Sequence, residues 1–281
     1  VILPVVGLIE LSSLETPLSE LLMSADPSKS SLFAGTTGLA ALSVATGGLS
    51  WGLGYFGQPH LLIRYMAISS VKDVKKAKWI ATMWAIPGIS GAFLIGVVGM
   101  GYFGEDFFVG KDPEIIMPLL AQTLLPGWLA GLLISGAVAA MMSTADSQLL
   151  VSTSAISEDL GMSVIKKRKK SDTLLNTRII TILLGIFAYM VAMYSEYSGN
   201  TIFGIVSFAW SGLGSSFGPA ILLALWWKKT TREGIISGLF TGAITTLIWG
   251  SSPYLKSIVT ERLSSFVFAF IMIVIISKYK K

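Results

Sequence analysis

Long apolar runs separated by short polar connections organise the chain. The first, Val1 through Ile9, is too short to cross a bilayer and predicts a chain that begins inside a helix, as a fragment of something longer. A polar, acidic connection from Glu10 to Ser31 follows, with Glu15, Glu20, Asp26 and Lys29. Seven candidate spans come next: about Gly38 to Ile63, Trp79 to Phe103, Leu124 to Ile156, Leu174 to Tyr194, Thr201 to Trp227, Gly234 to Gly250 and Leu263 to Ser277. The third is long enough to tilt or run past the hydrocarbon. The last is short enough that Arg262 and Lys278 must snorkel. The pattern predicts an all-α integral membrane protein.

Two spans carry breaks. Trp51-Gly52-Leu53-Gly54-Tyr55-Phe56-Gly57-Gln58-Pro59-His60 places three glycines and a proline where a regular helix is not sustained. Irregular backbone at membrane depth is viable where protein buries it or where it lines a cavity, so the segment points to a binding site. Trp51 and Tyr55, one turn apart, would form an aromatic wall with a polar tip on each ring. A glycine-packed helix crossing with interfacial aromatics is the plainer alternative. The second break, Ala209 to Ala220, reads AWSGLGSSFGPA. Gly212, Gly214 and Gly218 permit close packing, and Gly218-Pro219 predicts a kink, either a bending gate or a static feature. Pro87 and Gly88 take the static reading, and His60 and Arg64 read as anchors at a helix end.

The third span has a polar face. Ser143, Asp146, Ser147, Leu150 and Ser154 recur at three- and four-residue steps with Thr144 beside them, while Val138, Met141, Met142 and Leu149 oppose them. Singly, such hydroxyls bond back to their own helix or hold two helices together. As a cluster they suit a hard cation: Ser143, Thr144 and the Ala140 carbonyl offer three oxygens within one and a half turns, and further ligands must come from another helix.

Composition narrows the class. The chain is 53% hydrophobic and 13% charged, with a mean hydropathy of +0.71, outside the balance of a soluble globular domain. Absence of cysteine removes disulfides, thiolate metal sites and cysteine nucleophiles, and one histidine makes no metal cluster. With Asp146 the only charge left within the membrane, no catalytic pair can be assembled, so no enzyme, catalytic or cofactor-binding residue is expected. The net charge of +5 is not a nucleic-acid signal. Most Lys and Arg residues lie in alternate loops, Arg64 to Lys78, Ser157 to Arg178, Lys228 to Glu233 and the Lys278 to Lys281 tail, which places that side and the C-terminus in the cytoplasm. The Lys166 to Lys170 run, KKRKK, sets orientation and touches anionic lipid.

Together, WGLGYFGQPH, the following Arg64 with SVKDVKKAK, AAMMSTADSQLLVSTSAISEDL from Ala139 to Leu160, and AWSGLGSSFGPA resemble the sodium/solute symporter family, in order and over nearly the whole chain. The resemblance implies a five-plus-five inverted-repeat transporter fold. Residues 1–9 would end the first repeat, about 38–227 would form the second, and about 234–250 and 263–277 would be extra helices. It implies sodium-coupled symport of a small organic solute, proline or a related amino acid, across the cell (inner) membrane, with sodium co-transported. A transporter-fold sensor, or a symporter for another small solute, is the alternative. Residue by residue, the likeness makes the Ala140 carbonyl and the Ser143 and Thr144 hydroxyls sodium ligands, completed by carbonyls of a first core helix from the missing N-terminal part of the same protein. It makes Trp51, Tyr55 and Pro59 substrate-cavity residues, puts Arg64 on the inner pathway, and associates Gly212 to Pro219 with an external gate. Asp146 departs from the sodium/proline pattern, which has a small residue there. With Ser147 it marks a candidate second sodium site, or it pairs with a cation on another helix.

Overall fold

The computed structural model describes residues 1–13, 20, 31, 33–104, 107, 112–160, 170–199 and 201–280. Most of the acidic Glu10 to Ser31 connection, and Lys166 to Lys169 of the basic run, lie outside them. The described chain is helical, without strands. Helix α1 spans Ile2–Ser12 and α2 Gly38–Gly54; a 3-10 turn at Tyr55–Gly57 leads to α3, Pro59–Met66. Then come α4 Val71–Phe103, α5 Ile116–Leu124, and α6 Gly127–Ser154, prolonged by a π-helical turn at Ala155–Leu160. Helices α7 Lys170–Tyr197, α8 Ile202–Trp226, α9 Arg232–Ser251, α10 Pro253–Ile258 and α11 Glu261–Tyr279 complete the order.

Six of these helices are long and apolar enough to cross a membrane. The seventh expected span is the broken one, divided into α2 and α3. Its break follows from local chemistry: Gln58 is extended (φ −81°, ψ 112°), as a residue before proline prefers, and Pro59 opens α3 where its missing N–H costs nothing. The same effect corrects the third span. Leu125, ahead of Pro126, is extended, so α6 begins at Gly127 rather than at the expected Leu124, and the short helix α5 before it belongs to no expected span. Pro87 and Pro219 instead sit inside continuous helices. Helix α4 starts at Val71, ahead of the apolar run, because Ser70 caps it: its hydroxyl accepts from the Asp73 amide at 3.2 Å and donates to the Asp73 carboxylate at 2.6 Å.

Two packed groups result. Helices α8, α9 and α11 pack mutually, with α2 against α8 and α11; α1, α4, α5 and α6 form the other group, around buried Leu3, Leu11, Val98, Leu120, Ala121 and Ala130. Helix α6 contacts α3 and α7 as well. Large apolar side chains on α4, α6 and α7, among them Trp84, Phe93, Leu132, Ile182 and Leu183, point outward. Water would penalise such a surface and hydrocarbon accommodates it, so in a bilayer close packing rather than burial from water holds the helices together. The chain is a multi-pass membrane protein.

Candidate functional site

The α2 break is pressed onto α8. A Cβ on Gly54 would collide with the Trp210 indole; one on Gly57 would stand 2.6 Å from the Leu213 carbonyl, and one on Gly214 2.5 Å from the Gly54 Cα. Gly218 faces Phe266 at 2.8 Å in the same sense, whereas Gly212 has nothing nearer than Thr246 at 3.9 Å. The broken backbone and the glycine-packed crossing, weighed as alternatives on sequence, therefore coexist. Buried Gln58 holds the break, its amide donating to the carbonyls of Gly54 (3.3 Å) and Trp210 (3.4 Å).

Trp210 is the hub of the aromatic wall, and sequence reasoning gave it no role. Tyr55 meets its ring edge-on at 4.8 Å between centroids, Trp51 lies 6.1 Å away, and its Nε1 donates to the Trp51 carbonyl at 3.2 Å. Beneath it a cavity of about 290 Å³ is lined by Pro59, His60, Gln148, Ser152 and Leu213 together with Trp210. Of the expected cavity residues, Pro59 lines this space. Trp51 and Tyr55 flank it through Trp210. The volume suits a small molecule, and the lining pairs an apolar wall with a few amide and hydroxyl groups.

On α6 the expected cation ligands stand on an exposed face. Ala140, Ser143 and Thr144 are all exposed, and the Thr144 hydroxyl donates to the Ala140 carbonyl at 3.1 Å, which leaves its oxygen free to accept or ligate. Ser147 is engaged differently: its hydroxyl donates to the Ser143 carbonyl at 2.9 Å and accepts from Arg64 Nη2 at 3.1 Å. Arg64 thus ties α3 to α6 at the residue next to Gln148. Asp146 is exposed beside it.

A polar cluster that the sequence pattern did not reveal lies where α2, α8 and α11 meet. Glu261 and Arg262 open α11, two residues before the expected span, and Glu261 is only 8% exposed. Its Oε1 accepts from Ser207 (3.2 Å) and Ser211 (3.3 Å), and Arg262 Nη1 lies 3.5 Å from it. Arg262 also donates to Ser207 from Nη1 and to Ser50 from Nε (3.3 Å), and its guanidinium sits 4.7 Å over the Trp51 ring. Sequence alone did not single out this pair, which lies just ahead of the expected Leu263 to Ser277 span. The reason is packing: a pair adjacent in sequence reads as a loop boundary until α8 supplies its serines.

Comparison with known proteins adds family and relatives. The family model described as the sodium:solute symporter family matches residues 1–242. The chain is 41% identical over 230 residues, 82% of its length and 47% of the other protein's, to the high-affinity proline transporter PutP of Bacillus subtilis (strain 168). It is 37% identical to the sodium/proline symporters of Haemophilus influenzae, over 88% of this chain and 49% of that one, and of Escherichia coli (strain K12), over 82% and 46%. The chain spans about half the length of the curated relatives it matches.

Proposed function

The chain belongs to the sodium:solute symporter family, and from that premise we propose that the transporter it forms carries proline or a similar small amino acid into the cell together with sodium. The observation that carries the reading is the oxygen set of Ala140, Ser143 and Thr144 on one exposed face of α6, together with relatives whose names specify proline. Sodium sits on that face, with two or more further oxygens from the first core helix of the whole transporter. The solute lies against the wall formed by Trp51, Tyr55 and Trp210 above Pro59. Asp146 gives a second sodium site its charge, while Ser147, already bonded to Arg64, serves it only if Arg64 moves aside. Within an inverted-repeat fold, residues 1–9 close the first repeat and about 38–227 make the second. The glycines of α8 and Pro219 border the outer gate, and the basic loops and C-terminus face the cytoplasm.

Sodium binding favours the outward-open form, and joint binding with solute permits closure outside and opening inside, which requires differential affinity for the two states. The driving force suffices. At roughly 100 mV one charge is worth about 2.3 kcal/mol, and a roughly tenfold sodium gradient adds about 1.4 kcal/mol, together on the order of several hundred-fold accumulation at one sodium per solute.

The test is uptake of labelled proline into vesicles carrying the full-length parent, with sodium or potassium outside. The expected result is sodium-dependent uptake by the parent that is lost in Ser143→Ala with Thr144→Ala. Sodium-dependent uptake of a different solute would keep the mechanism and replace the substrate, and indifference to sodium would favour a transporter-fold sensor.

A further inference from the structure

The Glu261–Arg262 cluster joins three helices at the back of the aromatic wall. The carboxylate is anchored to α8 by Ser207 and Ser211, and it holds Arg262 by charge. From that anchor the guanidinium reaches across to α2, where it has two contacts on adjacent residues: the Ser50 hydroxyl at 3.3 Å and the face of the Trp51 indole at 4.7 Å. A cation within about 6 Å of an indole centroid is attracted to its face, and the attraction grows when the pair is shielded from water. Trp51 is further bounded by Phe203 at 5.5 Å and Trp210 at 6.1 Å, both from α8. Three neighbours on two helices therefore fix the plane of this one ring.

A buried ion pair is a poor stabilising device, since apolar residues of similar volume would hold helices together at least as well. Direction is what it adds. A planar guanidinium tethered at Ser50, Ser207 and Glu261 can face the indole in one orientation only.

We propose that Arg262 is a positioning residue for the solute site: held by Glu261, it sets the orientation of Trp51, so that α11, an accessory helix in the family's fold, works as part of the binding wall. The inference rests on the reading of Trp51 as a substrate-cavity residue. It assigns Arg262 no contact with solute or sodium.

The experiment is a double-mutant cycle in a full-length parent with measured sodium-dependent proline uptake, comparing the parent with Arg262→Gln, Trp51→Leu and the double variant. Half-saturation by labelled proline, maximal rate and membrane abundance are recorded for each, with Arg262→Lys alongside as a variant that retains the charge. Arg262→Gln is expected to raise proline half-saturation about tenfold at parental abundance, with sodium half-saturation unmoved and Arg262→Lys intermediate. In the Trp51→Leu background the same change should add less than about twofold. A full effect in that background, or loss of maximal rate and abundance with half-saturation at its parental value, would overturn the proposal. Failure of both Arg262 variants to reach the membrane would also overturn it, as a purely structural role. If Trp51→Leu alone leaves half-saturation unchanged, the cavity reading of Trp51 is what fails; if it raises half-saturation and Arg262→Gln does not, only the positioning role is lost.

Discussion

Glu114 shows how one side chain can place the start of a distant helix. Its two carboxylate oxygens accept from the amides of Ile202 (2.9 Å) and Phe203 (2.8 Å), two of the donors that the first turn of α8 leaves unpaired, and its charge complements the positive end of that helix. Thr201 satisfies the Gly204 amide at 3.1 Å. Since Phe203 packs against Trp51, the cap reaches the aromatic wall through one ring. Glu114→Ala should cost about 1–2 kcal/mol of stability, read as a lowered melting temperature of the purified protein, with Glu114→Gln between it and the parent. None of this was legible in the sequence, because the partners lie 88 positions apart and no periodicity relates them. The placement of Ser143 and Thr144 beside Ala140 was legible because helical spacing alone fixes it. Trp210 and the Glu261–Arg262 pair were not, because their roles depend on what faces them across a helix contact.

At the scale of elements, glycine acts by position rather than by number. Gly54 and Gly214 meet backbone to backbone or backbone to indole, while a Cβ on Gly212, in the same α8 segment, would meet only Thr246 at an ordinary 3.9 Å. Gly214→Ala and Gly54→Ala should each destabilise by about 1–3 kcal/mol, and Gly212→Ala should leave the melting temperature within experimental scatter. Equal tolerance at all three would refute the close crossing. The spans themselves were readable from apolar length, and the α2 break from its glycines and Pro59. The start of α6 was placed three residues early, at Leu124, because hydropathy does not register an extended residue before proline. Pro219 illustrates the converse. It stays within α8, and the Ser215 carbonyl it leaves without a helical donor lies where Gly242 of α9 comes closest.

For the whole molecule, the alternation of basic and acidic connections makes a topology that labelling can read directly. No cysteine occurs in this chain, so single cysteines introduced into a cysteine-free parent report one position each. Ser198→Cys, in the exposed turn before α8, should react with an impermeant maleimide added outside intact cells, and Lys229→Cys, between α8 and α9, only after permeabilisation. The reverse pattern would invert the orientation. The seam of Gly54, Gly57 and Gly214 has a mechanical meaning at this scale. At Gly57 and Gly214 backbone meets backbone, and at Gly54 the rigid Trp210 indole is pressed against it, so no compliant layer can absorb movement, and the joint behaves as a splint. Any displacement of the Pro59 side of the cavity must carry Trp210 with it, so wall and floor travel as one part, and flexibility has to be found elsewhere.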